Sequence, residues 1–114
     1  CPGIVEFVEK GIVEGPELEA YLRNLLADYT STPPDAVVLG CTHYPFVRDS
    51  ISKVLGAYTK IYDGGGGTAR ETKRQLELHG LLASPEQEGG ITLRNSNGSM
   101  IELSLKLLEI ARKL

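Results

Sequence analysis

The sequence predicts an α/β fold: three layers, with a mostly parallel sheet flanked by helices. Three observations carry this reading. A short apolar run, Ala36-Val-Val-Leu39, is bounded by Pro33-Pro34-Asp35 before it and Gly40 after it, the pattern of a buried strand. Apolar stripes at helical spacing lie on both sides of that run, and a second β-favouring stretch, Thr59 to Tyr62, follows the next helix. Strand, helix and strand in that order favour parallel pairing.

Taken in order, Ile4 to Val13 carries Ile4, Val5, Phe7, Val8, Ile12 and Val13 among charged residues and reads as a short helix ending near Gly11. Pro16 opens a stronger helix, in which Leu18, Tyr21, Leu22, Leu25 and Tyr29 form one continuous stripe. Thr30 to Asp35 is a turn-rich connection to the first strand. Pro45 suits the first turn of the next helix, whose Val47, Ile51, Val54 and Leu55 share a face. Asp63 and Gly64 to Gly67 read as a flexible loop before a helix from Thr68 to His79 that Gly80 stops. Ser84 to Gly90 is polar, Ile91 to Arg94 reads as a third strand, and Met100 to Leu114 as a final helix. The apolar residues of that helix occupy more than one stripe, so it calls for contact on more than one side, at a domain boundary or a homodimer interface.

Composition bounds the function. With 114 residues, 41% hydrophobic, and a formal net charge of -3, the chain is one ordinary globular domain without the basic patch that nucleic acid requires. No apolar run reaches membrane-spanning length. Two cysteines, Cys1 and Cys41, make no disulfide framework, and a reducing cytoplasm is the expected compartment. The chain opens on Cys-Pro-Gly, and its sole Met is Met100, which predicts a piece of a longer protein.

The chemistry concentrates at Gly40-Cys-Thr-His43, between the carboxyl end of a strand and the start of a helix, where open α/β sheets bind ligands. A thiol at such a turn has reasons to ionise, because a helix amino end is partly positive and a neighbouring imidazole can add charge. A lone cysteine is also a common small core residue, but the flanking Gly40, Thr42 and His43 favour chemistry at Cys41, as nucleophile or as base. His43 could activate the thiol, protonate a substrate group, or be a hydrogen-bonded turn residue. Glu9 could orient His43; on sequence alone it reads as an exposed helix residue. His79 is explained by its helix end. The glycine run lacks the spacing and the Lys of a phosphate loop, and Cys41 with His43 makes too few ligands for a metal, so none is expected.

These same residues resemble a known family. Leu39-Gly-Cys-Thr-His-Tyr-Pro45 is similar to the second active-site signature of glutamate racemase, in the aspartate/glutamate racemase group. Cys1-Pro2 with Val5, Val8, Glu9 and Gly11, and Ile61 to Gly64 with Gly67-Thr-Ala-Arg70, resemble two further family segments. The resemblance implies a cofactor-independent isomerase that interconverts L- and D-glutamate for peptidoglycan synthesis, with two cysteines on opposite faces of the substrate α-carbon. Matched by motif, Cys41 is one of that pair, Thr42 and His43 contact substrate, and Glu9 supports His43.

Cys1 matches a family position outside the catalytic pair, so the second catalytic cysteine belongs to an amino-terminal half absent here. The resemblance thus implies one of two similar domains, residues 1–90, plus a returning carboxyl-terminal strand and helix, residues 91–114. The expected partners are glutamate and the missing half of the enzyme; neither nucleic acid nor membrane is expected. Three rivals remain: a racemase of the group acting on aspartate or another amino acid, a non-enzymatic module binding a small carboxylate, and a Cys-dependent hydrolase or transferase.

Overall fold

The computed structural model describes residues 1–113, and Leu114, the end of the expected last helix, lies outside them. Two proline-started helices come first. In α1 (Pro2–Glu9) the i,i+4 pair Ile4 and Val8 is buried, and Gly11, at φ +72°, turns the chain away. In α2 (Pro16–Leu25) Leu18 and Leu22 are fully buried, while Glu17 and Glu19 sit in the first turn, where the helix dipole favours acid. The predicted continuous stripe to Tyr29 does not form. The backbone leaves helical geometry at Leu26, α3 (Ala27–Thr30) is a separate single turn, and Tyr29 is 54% exposed.

The first strand, β1 (Ala36–Leu39), has the expected bounds, but only Leu39 of its four residues is buried. A four-residue 3₁₀ turn, Tyr44–Val47, then leads to α4 (Arg48–Leu55). The expected helix start at Pro45 is therefore a tighter turn, and regular α-helix begins only at Arg48. Val47, Ile51, Val54 and Leu55 all face the core as their spacing predicts. Gly56, at φ +94°, ends α4 in a conformation that side-chain-bearing residues rarely take.

The second strand, β2 (Lys60–Asp63), pairs with β1 in parallel, Ala36 opposite Lys60 and Leu39 opposite Asp63. It starts one residue later than expected. Thr59 is still in the turn: its amide bonds to the Gly56 carbonyl and its buried hydroxyl to the Pro34 carbonyl, and the Lys60 amide to Asp35 is the first rung. The sheet has two strands among the described residues, so each keeps one unpaired edge.

One sheet face is covered and the other is open. Leu39 joins Ile4, Val8, Leu18, Leu22, Val47 and the buried α4 residues in one core, with Val37 and Ile61 packed against it. Each fully buried leucine there contributes roughly 1.5–3 kcal/mol. The hydroxyl of Ser50, also fully buried, donates to the Val13 carbonyl at 3.2 Å. On the other face, Val38 is 76% and Tyr62 53% exposed.

The glycine run is not a loop. Gly65–Leu78 is one helix, α5, and Gly65, Gly66 and Gly67 are its first turn. The Asp63 carboxylate receives the Gly65 amide at 2.9 Å, and the Thr68 amide reaches the Gly64 carbonyl at 2.9 Å. No residue of α5 is buried. The expected third strand at Ile91 to Arg94 does not form, because a strand exists only by pairing and this stretch has no partner among the described residues; Ile91 is 61% exposed. A short 3₁₀ turn, Gly98–Met100, opens α6 (Ile101–Ala111), which rests on the Tyr44–Val47 turn through Leu107 and bonds Lys106 Nζ to the Gly11 carbonyl.

The described chain exposes 8489 Å², where a compact monomer of this mass exposes about 6,100 Å². Its radius of gyration, 17.2 Å, compares with about 13 Å for a compact domain of this length. The α/β class and the parallel pairing are as the sequence predicts, while the expected helical layer on the second sheet face is not packed among the described residues; the surplus surface lies on that open face, α5 and the segment after it.

Candidate active site

Cys41 follows Leu39 and Gly40 off the carboxyl end of β1, beside the carboxyl end of β2, because the parallel register sets Leu39 against Asp63. Its turn is held by two backbone bonds: the Tyr44 amide to the Cys41 carbonyl at 3.3 Å and the Phe46 amide to the His43 carbonyl at 3.2 Å. These two amides are therefore already paired within the turn.

Cys41 is half-buried, and its Sγ lies 3.9 Å from Nδ1 of the half-buried His43. The exposed Thr42 places its hydroxyl 3.4 Å from the same ring nitrogen. The opposite ring nitrogen, Nε2, lies 3.8 Å from Oε1 of Glu9, an ion-pair distance rather than a hydrogen bond. Three of the residues singled out in the sequence, Cys41, His43 and Glu9, thus stand in a line, thiol to imidazole to carboxylate. Cys1 is exposed and apart from this line; its carbonyl accepts from the Tyr44 hydroxyl at 3.3 Å.

A cavity of about 670 Å³ opens between the ends of the two strands. Cys41 and Thr42 line it from one side and Asp63, Gly64, Gly65 and Thr68 from the other, whereas His43 and Glu9 are not among its lining residues. A second hollow, about 640 Å³, runs along α5 past His79 and contains no thiol. Of these two hollows, the one at Cys41 is lined by a thiol. Among the described residues, no three His, Cys, Asp or Glu side chains gather as a metal site.

The sequence reading missed the second wall of this cavity. Read as a loose loop, Gly64 and Gly65 carry no obvious role. The usable signal was their place after a second parallel strand, since ligands in such sheets sit at the carboxyl ends of neighbouring strands.

No family model matches the chain. Relatives do. The glutamate racemase of Clostridium botulinum (strain Alaska E43 / Type E3) is 49% identical over 111 residues, spanning 96% of this chain and 43% of that protein. The glutamate racemase of Clostridium acetobutylicum is 41% identical over 112 residues, with the same two shares. Among solved structures, glutamate racemase from Thermus thermophilus, in complex with β-chloro-D-alanine, superposes with a TM-score of 0.73 at 33% identity, covering 94% of this chain and 41% of that one. Glutamate racemase from Francisella tularensis subsp. tularensis SCHU S4, at 24% identity and a TM-score of 0.63, supports the fold alone. The chain spans less than half the length of each of these proteins. Over that part, in sequence and in fold, it is a homologue of the glutamate racemases.

Proposed function

We propose that this chain is the carboxyl-terminal portion of a cofactor-independent glutamate racemase in which Cys41 is one of two cysteines that exchange the substrate α-proton. The observation that carries the reading is the position of the Cys41 thiol, on the wall of the inter-strand cavity with His43 and Glu9 in line behind it. The α-hydrogen beside a carboxylate is weakly acidic, so its removal needs an oriented base in contact with it and stabilisation of the carbanion left behind. A cysteine, with an ordinary pKa near ~8.5, is a workable base as thiolate and a workable acid as thiol. One thiolate takes the proton from one face while an opposing thiol gives one to the other. Configuration inverts, and the two sulfurs exchange protonation states.

Thr42, at the cavity mouth, is suited to hydrogen-bond a substrate carboxylate, and His43, steadied by Glu9, to assist proton movement at Cys41. The second thiol would come from residues outside this chain, together with the rest of the substrate pocket. On this reading residues 1–90 form a racemase domain and 91–114 a returning segment at the domain boundary, with a homodimer as a further expected assembly. Supply of D-glutamate for peptidoglycan, in the cytoplasm, is the corresponding role.

The test is proton NMR of L- and D-glutamate in heavy water with a polypeptide of full racemase length that carries these residues. Loss of the α-proton signal with wild type but not with Cys41→Ala is expected. Exchange of aspartate instead of glutamate would move the substrate to the other branch of the group, and a covalent adduct on Cys41 by mass spectrometry would favour a hydrolase or transferase. Absence of exchange with every amino acid would leave a carboxylate-binding module. The 114 residues by themselves are expected not to racemise glutamate at a useful rate.

A further inference from the structure

An ion pair outside the cysteine turn reaches the same cavity. Arg48, the first residue of α4, donates from Nη1 to Asp63 Oδ2 at 2.9 Å and from its other terminal nitrogen to the Ile61 carbonyl. The remaining carboxylate oxygen, Oδ1, receives the Gly65 amide at 2.9 Å. The pair is sheltered, its side chains 34% and 18% exposed, unlike the Arg74–Glu71 pair on α5 at 60% and 55%. One carboxylate therefore joins the start of α4, the end of β2 and the first amide of α5.

That junction sets the cavity wall opposite Cys41. Asp63, Gly64, Gly65 and Thr68 all line it. Packing contributes little to holding the wall, because no residue of α5 is buried. Helix propensity works against it, since each glycine in a helix costs about 1 kcal/mol relative to alanine. Gly65 also has a steric reason to be there: a Cβ at that position would sit 3.1 Å from Asp63 Oδ1, crowding the oxygen that receives the amide.

We propose that Asp63, held by Arg48, is a positioning residue of the Cys41 site, fixing the Gly64–Gly65–Thr68 wall against which a substrate at Cys41 must fit. The identity of the substrate rests on the racemase reading; the geometry does not. Asp63 acts on that wall through the Gly65 amide.

In a polypeptide of full racemase length, Asp63→Ala is expected to raise KM for glutamate by about tenfold, with kcat within about threefold of wild type. Asp63→Asn, which keeps an oxygen for the Gly65 amide but turns a donor NH2 toward Arg48 Nη1, should recover only part of that loss. A side chain needed only for stability would lower the melting temperature and leave KM alone, and KM within about twofold of wild type overturns the proposal. If wild type exchanges no glutamate, the racemase reading falls, and alkylation of Cys41 in this chain decides the positioning role. Cys41 and Cys1 are then followed separately by peptide mass spectrometry after iodoacetamide. In Asp63→Ala the Cys41 rate should change by about threefold or more without added denaturant, Cys1 staying constant, and an unchanged rate overturns the proposal. Should Asp63→Ala fail to fold, Arg48→Lys, which keeps the charge but loses the planar fork, is judged by the same criteria.

Discussion

Glu9, the last residue of α1, brings its carboxylate to 3.8 Å from Nε2 of His43, in the turn after β1. The two side chains are 56% and 32% exposed, so the contact adds little to stability. On the proposed reading, Glu9 would orient a ring whose other nitrogen lies 3.9 Å from the Cys41 sulfur. Glu9→Gln is therefore expected to leave the unfolding free energy from urea denaturation nearly unchanged, within about 0.5 kcal/mol. If the proposed racemase reading holds, the same variant should slow α-proton loss in the heavy-water exchange assay, by less than the factor of about 10²–10⁴ that loss of a general acid or base itself costs.

Stability is concentrated in the covered face. Leu22 is fully buried between α1, α4 and the sheet, so Leu22→Ala should cost about 2–5 kcal/mol, lost transfer energy and cavity together. Leu105 in α6 is 52% exposed, and Leu105→Ala should stay within about 0.5 kcal/mol. Urea denaturation of the two variants beside wild type checks the contrast.

Gly56→Ala tests the end of α4. A Cβ there meets no neighbouring atom within 4 Å, so the cost is conformational alone. At φ +94° and ψ 158°, a region essentially confined to glycine, an alanine should lose about 1–3 kcal/mol, again by denaturation, while the exposed Gly89 should accept alanine nearly freely.

Acid should loosen α5 before it loosens the core. Glu71 accepts both nitrogens of the Arg74 fork at 2.8 Å and the Gln75 amide at 2.8 Å. Arg74 first, then Gln75, holds its carboxyl below the ordinary range. A carboxyl lowered in the folded state adds stability above its unfolded pKa, and that contribution is lost as the pH falls through the lowered value. Helicity of α5, followed by amide chemical shifts, should therefore decline on the acid side of the usual carboxylate range. Glu71→Gln should remove that part of the pH dependence.

What the sequence reveals here is local. The bounds of β1 are legible to the residue because Pro34, Asp35 and Gly40 punctuate it, and the core face of α4 follows from spacing alone. The Cys41–His43 relation is likewise local, two residues apart in one turn. What escapes is set by distant partners. Nothing near Ile91 says that it lacks a strand to pair with, and the helical start at Gly65 depends on a carboxylate fixed by Arg48 from the preceding helix. Glu9 shows both sides of this. Its own neighbours describe an exposed helix residue, and only the fold of α1 against the turn brings it to His43.

A sheet two strands wide consists of edges only. Among the described residues no third strand pairs with the outer side of either strand, and beside it Val38 and Tyr62 form a greasy floor. Such a template does not choose its occupant by side chain; it takes whichever extended backbone arrives. Handled alone, the chain should self-associate as its concentration rises, and co-expression with a polypeptide that supplies a matching strand is the direct route to monodisperse material.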